Sequence, residues 1–199
     1  MFTIVIQAGG QSIRMGQNKA LMPFLGQPII ARLAGRLRNV ADELLVTTNQ
    51  PENFRFLGLP LFLDLKPGLG ALGGLYTALS AARAPFTAVV ACDMPFIEPK
   101  LLAAQRDLLR TESVDVVIPR STLGLEPLHA VYRRETCLPV VGAALESGER
   151  RMVGWLSAVR VRVMEPDEMA VYDPDHRSFV NVNTPEEFHH AEALARRLG

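Results

Sequence analysis

The chain has 199 residues, enough for one α/β domain with a full core and short for two. Apolar residues make up 48% and charged residues 21%, ordinary values for a globular protein and not those of a disordered chain. Lys plus Arg and Asp plus Glu both number 21, so no bulk basic excess argues for nucleic acid or an anionic membrane, and any anion binding has to come from local clusters.

Cys92 and Cys137 lack CxxC spacing and no cysteine–histidine cluster suggests zinc, so a reducing cytoplasm is expected. The N-terminus enters an apolar run at once, without a basic segment followed by a long apolar stretch. Neither a signal peptide nor a membrane span is therefore expected. A single domain over residues 1–199 is the default.

Residues 3–7 form a short β-branched run that reads as a buried strand, with Ala8, Gly9 and Gly10 directly after it. Gly9, Gly10 and Gly16 let the backbone approach a ligand, and Arg14 and Lys19 place two cations in the same loop. That combination suits a polyphosphate whose charge grows during reaction. Spacing excludes a Walker A loop, since Gly16 is followed by Gln17, Asn18 and Lys19, and G-x-G-x-x-G is missing. The structural alternative is a plain strand-to-helix turn with solvated charges.

Pro28 can open a helix whose apolar face is Ile29, Ile30, Leu33, Leu37 and Val40, with Arg32, Arg36 and Arg38 as a solvated face. Residues 43–48 read as the next strand, ending in the turn signal Asn49-Gln50-Pro51. Ligands of open α/β sheets sit beyond the carboxyl ends of strands, which places Asn49 to meet one. Residues 59–63 read as a third strand closed by Asp64. Pro67, Gly68, Gly70, Gly73 and Gly74 then form a second glycine-rich loop, with a helical pattern starting at Leu75. A planar base fits against such side-chain-free backbone, while glycines that pack a helix are the other reading.

Residues 86–92 make the strongest strand, its apolar continuity implying burial on both faces, with Asp93 at its end. A carboxylate leaving a buried strand at the ligand edge suits magnesium, which takes one or two carboxylates plus substrate phosphates. Capping of the helix that follows is the structural alternative. Residues 101–109 and 138–145 read as helices and 114–119, 159–163 and 179–182 as strands. His129 alternates with apolar neighbours inside 126–135 and is left out of the chemistry, and Gly148-Glu149-Arg150-Arg151 reads as a charged turn. Thr184, Pro185 and Glu187 spell an N-cap, a first-turn proline and a capping box for a terminal helix, and Asn181 and Asn183 alternate on the segment before it.

AGGQSIRMGQNKAL resembles the signature loop of molybdenum cofactor guanylyltransferases, within the larger group of Rossmann-like nucleotidyltransferases, usually written L-A-G-G-x-S-x-R-M-G-x-D-K. Gln7 stands where leucine is usual and Asn18 replaces the acidic residue before the lysine. The stretch from Pro67 to Gly74 is similar to the family's P-G-x-G-P-L-x-G guanine-pocket segment, with Ala71 where proline is common. Cys92-Asp93-Met94-Pro95 matches C-D-M-P, Glu126 onward resembles the acceptor-side x-P-L-x-A-L/V-Y strand, and residues 181–187 match N-V-N-T-P-E-E in full.

The resemblance implies a three-layer α/β/α sandwich with a mostly parallel central sheet, of nucleotidyltransferase type. It also implies transfer of GMP from GTP to the terminal phosphate of molybdenum-bearing molybdopterin, with Mg²⁺ as cofactor and pyrophosphate as leaving group. Gln7, Ala8, Gly9, Gly10, Lys19, Asn49, Asp64 and Asp93 would bind GTP, and Arg14, Lys19 and Asp93 would carry the chemistry. Asp93 would hold the metal, and Asn181 and Asn183 would serve the acceptor side. Proteins that deliver or receive the cofactor would be further partners. A cytidylyltransferase on the same cofactor is the nearest alternative, against which Gly9 and the N-V-N-T-P segment speak. Other nucleotidyltransferases of the fold, and a non-catalytic nucleotide-binding protein suggested by Asn18, are the remaining ones.

Overall fold

A computed structural model describes residues 1–9 and 18–198. The chain opens with β1 (Phe2–Gln7), a ribbon of β2 (Pro23–Phe24) and β3 (Gln27–Pro28), α1 (Ile29–Leu37), β4 (Glu43–Thr47) and β5 (Leu61–Phe62). It continues through α2 (Gly70–Ala81), β6 (Phe86–Ala91), α3 (Pro99–Thr111), β7 (Val116–Ser121), β8 (Gly124–Leu125) and β9 (His129–Arg133). The last elements are α4 (Arg134–Glu146), β10 (Val161–Met164), the single turn α5 (Pro166–Met169) and α6 (Pro185–Leu198).

The strands lie in the order β10-β7-β9-β6-β1-β4-β5, with β8 paired to β7. β1 runs parallel to both β4 and β6, and β9 is antiparallel to β6 and β7. All six residues of β1 are buried, because helices cover both faces of the sheet. Phe2, Ile4 and Ile6 enter one layer, with Leu33 of α1, Leu102 of α3 and Phe188 of α6. Val5 enters the other, with Leu75 and Leu79 of α2 and Val141 of α4. The expected three-layer α/β/α sandwich with a mostly parallel sheet is thus what forms. Among the described residues no helix is long and apolar enough to cross a membrane.

Several local expectations are corrected. α2 starts at Gly70, so Gly73 and Gly74 belong to the helix and not to a loop. A Cβ on Gly73 would stand 2.9 Å from Leu69 Cβ, and one on Gly74 would stand 2.1 Å from Gln7 Nε2, so both glycines serve close packing. Residues 179–182 are not a strand. Arg177–Phe179 form a 3₁₀ turn, and the irregular backbone beyond it is tied to the end of β6 by Val182 N donating to Asp93 O at 3.0 Å. Arg36 and Arg38 are exposed, as the solvated-face reading expects, and the arginines of this region also make contacts. Arg36 Nε donates to Ile97 O at 2.9 Å, Arg38 reaches Leu57 O, and Arg32 lies over the Phe24 ring. The terminal helix begins as expected, with Glu187 N donating to Thr184 Oγ1 at 3.1 Å and Glu187 Oε2 accepting from Thr184 N.

Candidate functional site

Strand order turns at β1, which has β4 on one side and β6 on the other, so the loops leaving its carboxyl end diverge and leave a crevice. Ala8 N donates to Thr47 O at 2.8 Å and Cys92 N to Gln7 O at 3.3 Å, which zips the three strand ends together beneath it. The crevice is a cleft of about 1270 Å³. Its lining includes Gln7 at the end of β1 with Ala8 and Gly9 after it, Asn49 after β4, Asp64 after β5 and Asp93 after β6. Lys19, Asn181 and Asn183 line it from elsewhere in the chain. The two remaining expected site residues, Gly10 and Arg14, lie outside the described residues.

Lys19 begins a 3₁₀ turn over Lys19–Leu21, and Asn18 caps it, its Oδ1 accepting from Ala20 N at 3.2 Å. The lysine Nζ donates to Asn183 Oδ1 at 2.8 Å, a contact between residues 164 positions apart. Asn183 is itself held from behind, since its N–H donates to Glu187 Oε2 at 2.7 Å. The capping box of α6 therefore fixes the backbone that presents Asn183, and Asn183 fixes the lysine. Val182 joins the same segment to Asp93 through the backbone bond already described.

Asp93 follows β6 in a turn, and its carboxylate accepts no hydrogen bond from the side chain of another described residue. The cap of α3 is Glu98, which accepts from Lys100 N at 3.1 Å, so Asp93 is not spent on the following helix. Burial raises the Asp93 carboxyl above the ordinary range and the Lys19 cation opposes that rise. Burial also pushes the neighbouring Cys92 thiol up to about 12, which keeps it protonated and makes it a poor nucleophile. Among the described residues no three His, Cys, Asp or Glu side chains come together as a metal centre. A magnesium ion fits this donor set, because it takes one or two carboxylates and fills its shell with substrate phosphates and water.

At the other end of the cleft Asn49 Nδ2 donates to Asp64 Oδ2 at 2.8 Å, and the other oxygen, Asp64 Oδ1, is buried with no partner among the described residues. A buried acceptor without a donor is unfavourable, and a donor on a bound molecule would relieve it. Gly9 lies against this carboxylate: a Cβ there would stand 3.6 Å from Asp64 Oδ2. Pro67, Gly68, Gly70 and Ala71 supply the facing wall, with little side chain on it.

Glu126, Pro127 and Leu128, which open the stretch that resembles the acceptor-side strand, also line the cleft, and so does Met152, which is not among the expected site residues. Topology explains the first three: β9 runs antiparallel beside β6, with His129 opposite Val90, so the residues just before β9 must lie next to the residues just after β6. His129 is fully buried against Phe179, with ring centroids 5.1 Å apart, and its ring nitrogens have no partner among the described residues. Burial lowers it to about 4, so it is neutral at pH 7, in keeping with its exclusion from the chemistry.

Residues 4–161 match the family model described as the MobA-like NTP transferase domain. A probable molybdenum cofactor guanylyltransferase of Natronomonas pharaonis is 39% identical, covering 95% of this chain and 96% of the relative. A second, from Pelotomaculum thermopropionicum, is 37% identical over 97% of this chain and 93% of the relative. The crystal structure of a molybdopterin-guanine dinucleotide biosynthesis protein A from Archaeoglobus fulgidus superimposes with a TM-score of 0.86. It covers 98% of this chain and 99% of its own at 23% identity, a likeness of fold.

Proposed function

The chain belongs to the MobA-like NTP transferase family, and from that premise we propose that it is a molybdenum cofactor guanylyltransferase. It transfers GMP from GTP to the terminal phosphate of molybdenum-bearing molybdopterin. An oxygen of the acceptor phosphate forms a bond to the α-phosphorus of GTP, the bond from that phosphorus to the bridging oxygen breaks, and pyrophosphate leaves. The acceptor phosphate is already ionised, so the step needs little acid–base work, and positioning and charge neutralisation dominate.

The observation that carries this reading is the convergence of Lys19, Asn183 and Asp93 on one cleft from three distant parts of the chain. Lys19, held by Asn183, neutralises negative charge on the triphosphate as it passes to the leaving group. Arg14 shares that role by its place in the signature loop. Asp93 would hold Mg²⁺, which when bound supplies a further centre of positive charge for the phosphates. Asn49, Asp64 and the Gln7–Gly9 backbone, with Gly10 after it, take the nucleoside, and Asn181 and Asn183 face the acceptor. Residues 1–199 act as one transferase domain. Free thiols at Cys92 and Cys137 suit the reducing cytoplasm, where proteins that deliver molybdopterin or receive the product would be met.

Incubation with magnesium, molybdopterin and GTP, CTP or ATP in turn, followed by pyrophosphate release, tests the proposal. Release with GTP well above CTP and ATP is expected. Release with CTP alone would make the enzyme a cytidylyltransferase, and release with none would leave a binding protein.

A further inference from the structure

The side chain that ends β1 has no part in the reaction just described, which uses only the backbone there. Gln7 is 7% exposed and projects from the sheet onto α2, into the space that Gly74 leaves by lacking a Cβ. Its Nε2 donates to Ala71 O at 3.4 Å, which turns the amide nitrogen toward the helix. The other end, Oε1, is buried with no donor among the described residues. A buried acceptor left unpaired is unfavourable and rare, and one that lies at a ligand site is satisfied when the ligand supplies the donor.

The carboxamide is wedged between two walls of the cleft: Ala8 and Gly9 continue from it, and Gly70 and Ala71 form the first turn of the helix that it touches. An oxygen here can only accept. Phosphate oxygens are excluded as its partner, because they also only accept; the cation that receives them, Lys19, is the one held at Asn183. The facing wall of Pro67, Gly68, Gly70 and Ala71 carries little side chain and admits a flat ring. The exocyclic amino group is the donor that projects farthest from such a ring and so reaches a recessed acceptor. We propose that the Gln7 carboxamide is a specificity-determining residue of the nucleotide site, its oxygen accepting a hydrogen bond from the 2-amino group of guanine. The inference rests on the GTP reading above and adds a side chain for which the leucine usual at this position has no counterpart.

Calorimetric titration of the full chain with GTP, with ITP, which lacks the 2-amino group, and with 2′-deoxy-GTP tests it. Gln7→Met keeps the unbranched length and Gln7→Leu supplies a second shape, with thermal melts to confirm that each is folded. The wild type is expected to prefer GTP over ITP by about tenfold or more, because a site built to accept a donor rejects the analogue lacking it. In both variants that ratio should fall to near one. An unchanged GTP/ITP ratio, an equal weakening of both nucleotides, or a loss of discrimination against 2′-deoxy-GTP instead would overturn the inference while GTP binding kept the functional reading intact. Failure of the wild type to bind either nucleotide would overturn both.

Discussion

Replacing Gly74 by alanine sets two effects of opposite sign against each other, and the geometry says which one wins. An alanine in a helix interior is favoured over glycine by about 1 kcal/mol, and Gly74 lies well inside α2. The new Cβ, however, would stand 2.1 Å from Gln7 Nε2, 2.6 Å from Cδ and 3.0 Å from Oε1, so the whole carboxamide would have to leave its slot. Overpacking of this kind typically costs about 1–3 kcal/mol. The net effect is therefore a loss of up to about 2 kcal/mol, and at about 2–4 °C per kcal/mol for a chain of this size the melting temperature should fall by several degrees. In a Gln7→Ala background the obstructing atoms are gone, and Gly74→Ala should become stabilising by about 1 kcal/mol. Urea unfolding of the wild type, the two single mutants and the double mutant measures the coupling directly. A Gly74→Ala effect of the same sign and size in both backgrounds would refute the contact between β1 and α2 on which the reasoning stands.

Three further outcomes are expected. Asp93→Asn keeps the shape of the side chain and should keep the fold, but should lower magnesium-dependent pyrophosphate release by roughly 10²-fold or more, as loss of one charge-stabilising group typically does; release at the wild-type rate would remove Asp93 from the metal assignment. Asn18→Asp should alter turnover more than GTP affinity and leave the melting temperature in place, since aspartate caps a helical turn as well as asparagine does, and an unchanged rate would show this departure from the family motif to be neutral. Asp115 accepts from Arg160 Nε at 3.0 Å and Nη2 at 3.1 Å, and that guanidinium holds its carboxyl down to about 2 from 3.8. A carboxyl lowered in the fold contributes stability that is complete above its unfolded value and is lost as pH falls through the folded one. Urea midpoints should therefore drop between about pH 4 and pH 2, and Asp115→Asn should flatten that drop.

What the sequence disclosed depended on how local the responsible interaction is. β1 and β6 were legible because burial on both faces leaves a β-branched, mostly apolar run, and α6 because Thr184, Pro185 and Glu187 satisfy its first turn within four residues. The start of α2 was hidden, since glycines carry no side chain to show a helical period, and Gly73 and Gly74 answer to Leu69 and Gln7. Residues 179–182 have strand-like composition but turn Val180 N back to Arg177 O and Val182 N to Asp93 O in place of a neighbouring strand. The expected site residues that fall among the described residues gather in one cleft, because each follows a strand end or a motif that topology brings there. Glu126 joins them through the antiparallel insertion of β9, a long-range pairing to which only the resemblance of the stretch from Glu126 points, whereas Met152 carries no local signal.

The most direct test of the convergence of Lys19 and Asp93 on one nucleotide is a crystal grown with a non-hydrolysable GTP analogue and Mn²⁺ in place of Mg²⁺, measured at a wavelength where manganese scatters anomalously. An anomalous peak bonded to Asp93, with the triphosphate lying along Lys19 and Asn183, is the predicted result. A manganese peak away from Asp93, or a triphosphate bound outside this cleft, would contradict it.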